Sequence, residues 1–134
     1  MGYKIILDEN IVNEIFGNLT PFNLKNELKK VKKEYRIDRI YIEEFCADEI
    51  CLQYNPPRRC RIIQKDNVEI IKFRMSDLKN NRGSSYGFRI ILLKDNINRL
   101  AIVLSITHKI DKKDLTQQEK NQLKVLLESY VNSL

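Results

Sequence analysis

The chain has 134 residues, of which 43% are hydrophobic and 31% are charged, and its formal net charge is +6. These values predict a folded chain with a real hydrophobic core and exclude a disordered one. No apolar run approaches the roughly 20 residues that a membrane-spanning helix needs, and the N-terminus lacks the pattern of a signal peptide. We therefore expect one domain, residues 1–134, in the cytoplasm.

The N-terminal part, residues 1–60, is predicted to be mostly helical. YKIIL is a candidate short strand, and residues 8–16 carry apolar side chains at helical spacing before a stop at Gly17. Thr20, which is followed by proline, predicts the start of a second helix that ends near Arg36. RIYIEEF and CADEICLQY are ambiguous between strand and short helix, and NPPRR is a break.

From residue 61 onward the apolar period becomes strand-like. CRIIQK and VEIIKFRM flank the hairpin signal Asp66-Asn67, and YGFRIILLK and RLAIVLSIT flank the turn sequence DNIN. The last two segments are so rich in Ile, Leu and Val that we expect central strands covered on both faces. A capping box, TQQE, then opens a C-terminal helix at Thr116. The predicted fold class is α+β, with an antiparallel meander of about four strands between N-terminal helices and a C-terminal helix.

The positive charge is concentrated in residues 58–94. This stretch contains ten basic and three acidic residues, a net charge of +7, whereas the rest of the chain has a net charge of −1. Such a concentration is typical of a surface that binds a polyanion, although a solvated basic face is the alternative. Five of these residues are the candidate RNA-binding residues: Arg58, Arg59, Arg61, Lys79 and Arg82.

A second group of cations lies within the predicted strands. Because side chains alternate along a strand, Lys72 and Arg74 share one face, and Arg89 at the start of the next strand can join them. His108 and Lys109 follow directly after the last strand. We expect these four or five groups to converge on one face of the sheet, as a phosphate site requires.

Structural interpretations of the same residues stay open. Lys72 and Arg74 can protect an edge strand against aggregation, and Arg89 can form a structural ion pair with Asp77 or Glu69. A single histidine is more often a loop residue than a catalytic one.

The cysteines favour reduced thiols. Cys46, Cys51 and Cys60 are an odd number without C-x-x-C spacing, which argues against a disulfide framework. Together with His108 they are a conceivable set of four zinc ligands, but their spacing matches no familiar zinc motif. The chain also has no P-loop and no G-x-G-x-x-G motif. We therefore predict no metal and no cofactor.

The order of motifs in residues 61–134 points to a known family. A K-x-R strand (Lys72-Phe73-Arg74) is followed by a turn rich in glycine and serine that ends in G-F-R at Arg89, then by two apolar strands, the link Lys109–Thr116 and a closing helix. This order resembles the RelE/ParE toxin superfamily, particularly its HigB-like members. The resemblance implies a RelE-like sheet with helices against one face, and an mRNA endonuclease that acts on free or ribosome-bound mRNA. It also implies an antitoxin that neutralises the enzyme.

The resemblance also implies metal-independent chemistry. A base removes the proton of a ribose 2′-OH, cations stabilise the phosphorane, and an acid protonates the leaving 5′-oxygen. In this sequence Arg74 and Arg89 are expected to hold the scissile phosphate, since guanidinium groups bind phosphate in a bidentate manner. Lys72 is the expected base, His108 the expected acid, and Lys109 is expected to neutralise developing charge.

Two positions depart from the family pattern. Some ribosome-dependent relatives carry a second arginine and an aromatic hydroxyl where this chain has Ile110 and Thr116, so His108 is a substitute for the acid. The first 60 residues are also longer than the usual leading helices. Two other functions therefore stay open: a catalytically silent nucleic-acid-binding module on the same fold, and a toxin that targets a protein, as in the gyrase-poisoning branch.

Overall fold

The computed structural model describes residues 2–48, 61–77, 87–112 and 114–134. These residues contain five strands and four helices: β1 Lys4–Ile6, α1 Glu9–Phe16, α2 Leu24–Tyr35, α3 Arg39–Asp48, β2 Arg61–Lys65, β3 Val68–Met75, β4 Phe88–Asp95, β5 Leu100–His108 and α4 Gln117–Asn132. The predicted α+β class is confirmed.

The strands form one sheet in the order β1-β5-β4-β3-β2. β2 to β5 are the predicted antiparallel meander, and β3 pairs with β4 along its whole length. The sheet has one strand more than the expected four, because β1 pairs in parallel with residues 100–102 of β5. This pairing joins the two ends of the chain, so local sequence signals do not reveal it.

Both predicted hairpins form. Asp66, in the turn between β2 and β3, adopts a left-handed conformation (φ 55°), as does Arg99 before β5 (φ 57°). In the second turn the carboxylate of Asp95 accepts hydrogen bonds from the backbone N–H groups of Ile97 (2.9 Å) and Asn98 (3.0 Å). Short polar side chains of this kind stabilise tight turns because they replace missing backbone partners.

Helices cover both faces of the sheet, not one face as the resemblance implies. On one face, the ring of Phe45 in α3 stacks on Phe73 of β3 at a centroid distance of 5.8 Å. On the other face, α4 contacts β2 and β3, and the Tyr130 hydroxyl donates to Asp95 over 2.6 Å. The central strand β4 is consequently buried along its entire length, as its apolar sequence predicts.

Helix α2 begins later than predicted. Its N-cap is Asn23, whose side chain accepts a hydrogen bond from the N–H of Asn26 over 3.1 Å. Thr20 instead accepts from the N–H of Phe22 over 3.3 Å, which closes a turn before the helix. The capping box at Thr116 is present as predicted.

The ambiguous segment RIYIEEF lies in a helix, α3. Its buried residues, Ile42 and Cys46, are four positions apart and share one helical face. In the part of the chain that the structure describes, no helix combines the length and apolarity that a membrane span requires.

Candidate functional site

Three of the predicted cations lie together on one side of the sheet. Arg74 and Arg89 are direct partners across β3 and β4, and Lys72 lies two residues before Arg74 on the same side. We call these three residues the cationic face. Directly opposed side chains in antiparallel strands have Cβ atoms about 5 Å apart, and like charges in this position repel each other. The two cations therefore need a nearby negative charge, part of which Asp114 supplies.

Arg89 is the buried member of the cationic face. It is 8% exposed, whereas Arg74 is exposed and the side chain of Lys72 is 37% exposed. Burial lowers the pKa of Arg89, the nearby charge of Arg74 lowers it further, and the carboxylates of Asp114 and Glu119 oppose this change. A guanidinium stays charged in proteins, so Arg89 presents a desolvated cation next to two solvated ones.

Gly87 allows the backbone just before β4 to approach the end of β3, where Arg89 and Arg74 are opposed. A Cβ atom on this residue would lie 2.0 Å from the carbonyl oxygen of Met75, so only glycine fits between the end of β3 and the start of β4. The N–H of Lys109 donates to the Gly87 carbonyl over 3.1 Å, which places the backbone of Lys109 beside the same position. Gly87 thus sets the register in which Arg89 faces Arg74.

The segment that leads into α4 brings negative charge to the cationic face. Asp114 Oδ1 lies 3.9 Å from Lys72 Nζ. A hydrogen bond from the Leu115 N–H lowers the pKa of Asp114, and the charges of Lys72 and Arg89 lower it further. The capping box follows, with Glu119 accepting from the Thr116 N–H over 2.9 Å. The cationic face therefore borders the start of α4 and is partly neutralised by Asp114.

His108 lies on the opposite side of the sheet, so the prediction that it joins the cationic face is wrong. Its partner on β4 is Phe88, next to Arg89 in sequence and therefore on the other face. The ring is fully buried, with Nε2 3.0 Å from Asp77 Oδ2 and Nδ1 accepting from the N–H of Ile110 over 3.1 Å. Because the ring is fully buried on the opposite face of the sheet, His108 cannot serve as the acid that protonates a leaving group on the cationic face.

The candidate RNA-binding residues are only partly described. Arg58, Arg59, Lys79 and Arg82 lie outside the described residues. Arg61 is described, and its Nε lies 2.9 Å from Glu69 Oε1 on the face opposite to Arg74. Glu69 also lies 3.9 Å from the buried Nζ of Lys94. Arg61 is therefore part of an ion-pair cluster on the face opposite to the cationic face, and its assignment to RNA binding stays a prediction.

The zinc alternative gains no support from the described residues. Among them, no group of three His, Cys, Asp or Glu side chains is arranged to hold a metal ion. Cys46 is buried in α3, and the two ring nitrogens of His108 already have partners. Cys51 and Cys60 lie outside the described residues.

Sequence reasoning missed Glu27, on α2. Its carboxylate accepts hydrogen bonds from the Ser105 hydroxyl (3.0 Å) and from the Ile106 N–H (3.1 Å) of β5. Burial raises the pKa of Glu27 to about 7, although these two hydrogen bonds act in the opposite direction. One signal was available: Glu27 lies between Leu24 and Leu28, which belong to the apolar stripe of the helix, and a carboxylate beside a buried stripe is unusual.

Comparison of the chain with protein-family models, with curated proteins and with solved structures found no match. The interpretation of the site therefore depends on its geometry and on the motifs of the sequence.

Proposed function

We propose that the protein is a toxin-like RNA endonuclease that binds the scissile phosphate on the cationic face. The observation that carries the proposal is the direct opposition of Arg74 and Arg89 across β3 and β4, with Lys72 on the same side. Two guanidinium groups in this position match a phosphate, because each offers parallel N–H donors to its oxygens. The RelE-like order of motifs supports RNA, cleaved by attack of the 2′-OH, as the substrate.

The proposal divides the catalytic roles differently from the expectation drawn from the sequence. Arg74 and Arg89 keep the role of holding the phosphate and stabilising the charge of the phosphorane. Lys72 forms an ion pair with Asp114, which suits an ammonium that donates a proton rather than a neutral amine that accepts one. Lys72 therefore fits the acid at the leaving 5′-oxygen better than the base.

Partners and location follow from the proposed activity. An enzyme that cuts mRNA would act in the cytoplasm and would need an antitoxin that covers the cationic face or prevents RNA from reaching it. Neither RNA nor the antitoxin requires a metal or a cofactor at this site.

The test is a binding and cleavage assay with Arg74→Ala, because Arg74 is exposed and its removal leaves the core intact. A charged hydrogen bond contributes about 1.5–3 kcal/mol, so we expect RNA binding to weaken roughly 10- to 100-fold. Lys33→Ala, which removes an exposed lysine of α2, is the matched control and should bind as the wild type does. Cleavage should leave 2′,3′-cyclic phosphate ends. Equal binding by wild type and Arg74→Ala would contradict the assignment of the phosphate site.

A silent RNA-binding module is the second candidate, and the position of His108 favours it. The only histidine of the chain is buried away from the cationic face, so the expected acid is absent there. If the wild type binds RNA through Arg74 but releases no cyclic phosphate ends, this second function replaces the first.

A further inference from the structure

We propose that Glu27 is the general base that removes the proton of the ribose 2′-OH. This inference rests on the proposed endonuclease function and supplies the one role that Lys72 and His108 do not fill.

The sheet register places Glu27 beside the cationic face. Ser105, which holds the Glu27 carboxylate, is the partner of Ile91 on β4, and Ile91 is the partner of Lys72 on β3. Ser105 and Lys72 thus point to the same side of the sheet from strands that flank β4. Since neighbouring strands are about 4.8 Å apart, they are separated by roughly 10 Å.

Arg89 occupies the strand between these two residues. A phosphate on Arg89 would have Glu27 on its β5 side and Lys72 on its β3 side. In-line displacement needs this order, because the attacking and leaving oxygens lie on opposite sides of phosphorus. The geometry therefore separates a base from an acid across the bound phosphate.

Glu27 is a half-buried residue, and its carboxylate is fixed in position. β1 pairs with β5 only as far as Ile102, so the N–H of Ile106 is available to the helix that covers this edge, and Glu27 accepts it. Two hydrogen bonds from β5 hold the side chain, which limits the geometry it can adopt. A base that is held in place within reach of a proton is the first requirement for general base catalysis.

The surrounding charges suit a base that works near neutral pH. The charged groups that face Glu27 are Lys112, from the segment before α4, and Glu119 of α4. Glu119 also acts on Arg89, so this one carboxylate of α4 lies near both Glu27 and the cationic face. With its pKa raised by burial to about 7, Glu27 is a stronger base than an ordinary carboxylate and is still ionised in a large fraction of molecules at neutral pH.

The proton and bond changes balance without another reactant. The 2′-O–H proton moves to the Glu27 carboxylate as the 2′-O–P bond forms. The P–O5′ bond breaks, and the O5′ atom takes a proton from the Lys72 ammonium. The products are a 2′,3′-cyclic phosphate and a 5′-hydroxyl. Glu27 then loses its proton to solvent, and Lys72 regains one.

The test compares cleavage rates of the wild type, Glu27→Gln and Glu34→Gln between pH 5 and pH 9. Glutamine keeps the shape of the side chain and can still accept from Ile106, whereas Glu34 is an exposed residue of the same helix and provides the matched control. We expect the wild-type rate to rise with pH and to level off near pH 7. Glu27→Gln should cleave about 10²- to 10⁴-fold more slowly, without this inflection, and should bind RNA as tightly as the wild type.

The possible outcomes are distinguishable. If Glu27→Gln cleaves at the wild-type rate with the same pH profile, the base assignment is overturned while the endonuclease function stands. If it folds but loses RNA binding as well, Glu27 has a structural role and the assignment is also overturned. If the wild type does not cleave RNA at any pH, the proposed function and this inference both fail.

Discussion

Glu27→Gln is expected to stabilise the protein at neutral and alkaline pH even though it abolishes the proposed catalysis. The folded pKa of Glu27 is about 7, against an ordinary value of 4.5. Between these two pH values the folded protein keeps a proton that the unfolded chain has lost, so the free energy of unfolding falls as the pH rises. The contribution of Glu27 is fully present below pH 4.5 and is lost as the pH rises through 7.

The magnitude follows from the two pKa values. A pKa difference of one corresponds to about 1.4 kcal/mol. The change from 4.5 to about 7 therefore corresponds to about 3 kcal/mol of stability lost by the wild type, an upper value because solvent reaches part of the side chain. Glutamine does not ionise, so Glu27→Gln avoids this loss. For a chain of this size the difference amounts to roughly 10 °C in Tm at alkaline pH.

Urea unfolding at intervals between pH 4 and pH 9 measures the effect directly. The difference in unfolding free energy between Glu27→Gln and the wild type should grow in favour of the variant from pH 4.5 to pH 8. Glu34→Gln, at an exposed position, should show no such trend. A difference between Glu27→Gln and the wild type that does not change with pH would refute the reasoning, because it would mean that Glu27 ionises equally easily in the folded and unfolded states.

Two further substitutions test the structure around the site. Tyr130→Phe removes the hydroxyl that donates to Asp95, and we expect a loss of about 1–3 kcal/mol in urea unfolding at neutral pH. Burial raises the pKa of Asp95, but the hydrogen bonds that its carboxylate accepts lower it more, so the pKa lies below its ordinary value. The stability lost in Tyr130→Phe should therefore shrink in acid, as the carboxylate gains its proton. A stability loss that does not depend on pH would contradict this account. His108→Ala removes a fully buried ring and its hydrogen bond with Asp77 and should cost about 2–5 kcal/mol, while the folded variant keeps its affinity for RNA because His108 is on the opposite face. Weaker RNA binding by a folded His108→Ala protein would contradict that placement.

Local signals in the sequence were sufficient for most of the fold. The hairpin at Asp66-Asn67, the apolar β4 and the capping box at Thr116 depend on residues close in sequence, and all three are present. The pairing of β1 with β5 was not predictable in this way, because about 100 residues separate the partners. The start of α2 was misplaced for a different reason: Thr20 and Asn23 are both acceptable N-caps, and tertiary packing decides between them.

The difference between local and long-range signals also explains which residues of the site were predicted correctly. Alternation along β3 predicted that Lys72 and Arg74 share one face, and the pairing of β3 with β4 places Arg89 on that face as well. The prediction for His108 was wrong because the face of the sheet on which His108 lies depends on the register of β4 with β5. In that register Thr107 is the residue opposite Arg89. That register contains an irregularity between Ile91 and Leu92, which no sequence pattern marks. Glu27 was missed because its partners on β5 are contributed by a distant part of the chain.

In the part of the chain that the structure describes, cations of the basic stretch lie on both faces of the sheet. Within the described residues, Glu69 forms ion pairs with both Arg61 and Lys94 on the far side of the sheet. On the near side, the pKa of Arg89 is lowered by burial and also by the charge of Arg74, so the two cations disfavour each other. Under the proposed function a bound phosphate reduces this repulsion, so we expect anion binding to depend on these two opposed guanidinium groups more than on the net charge of the basic stretch.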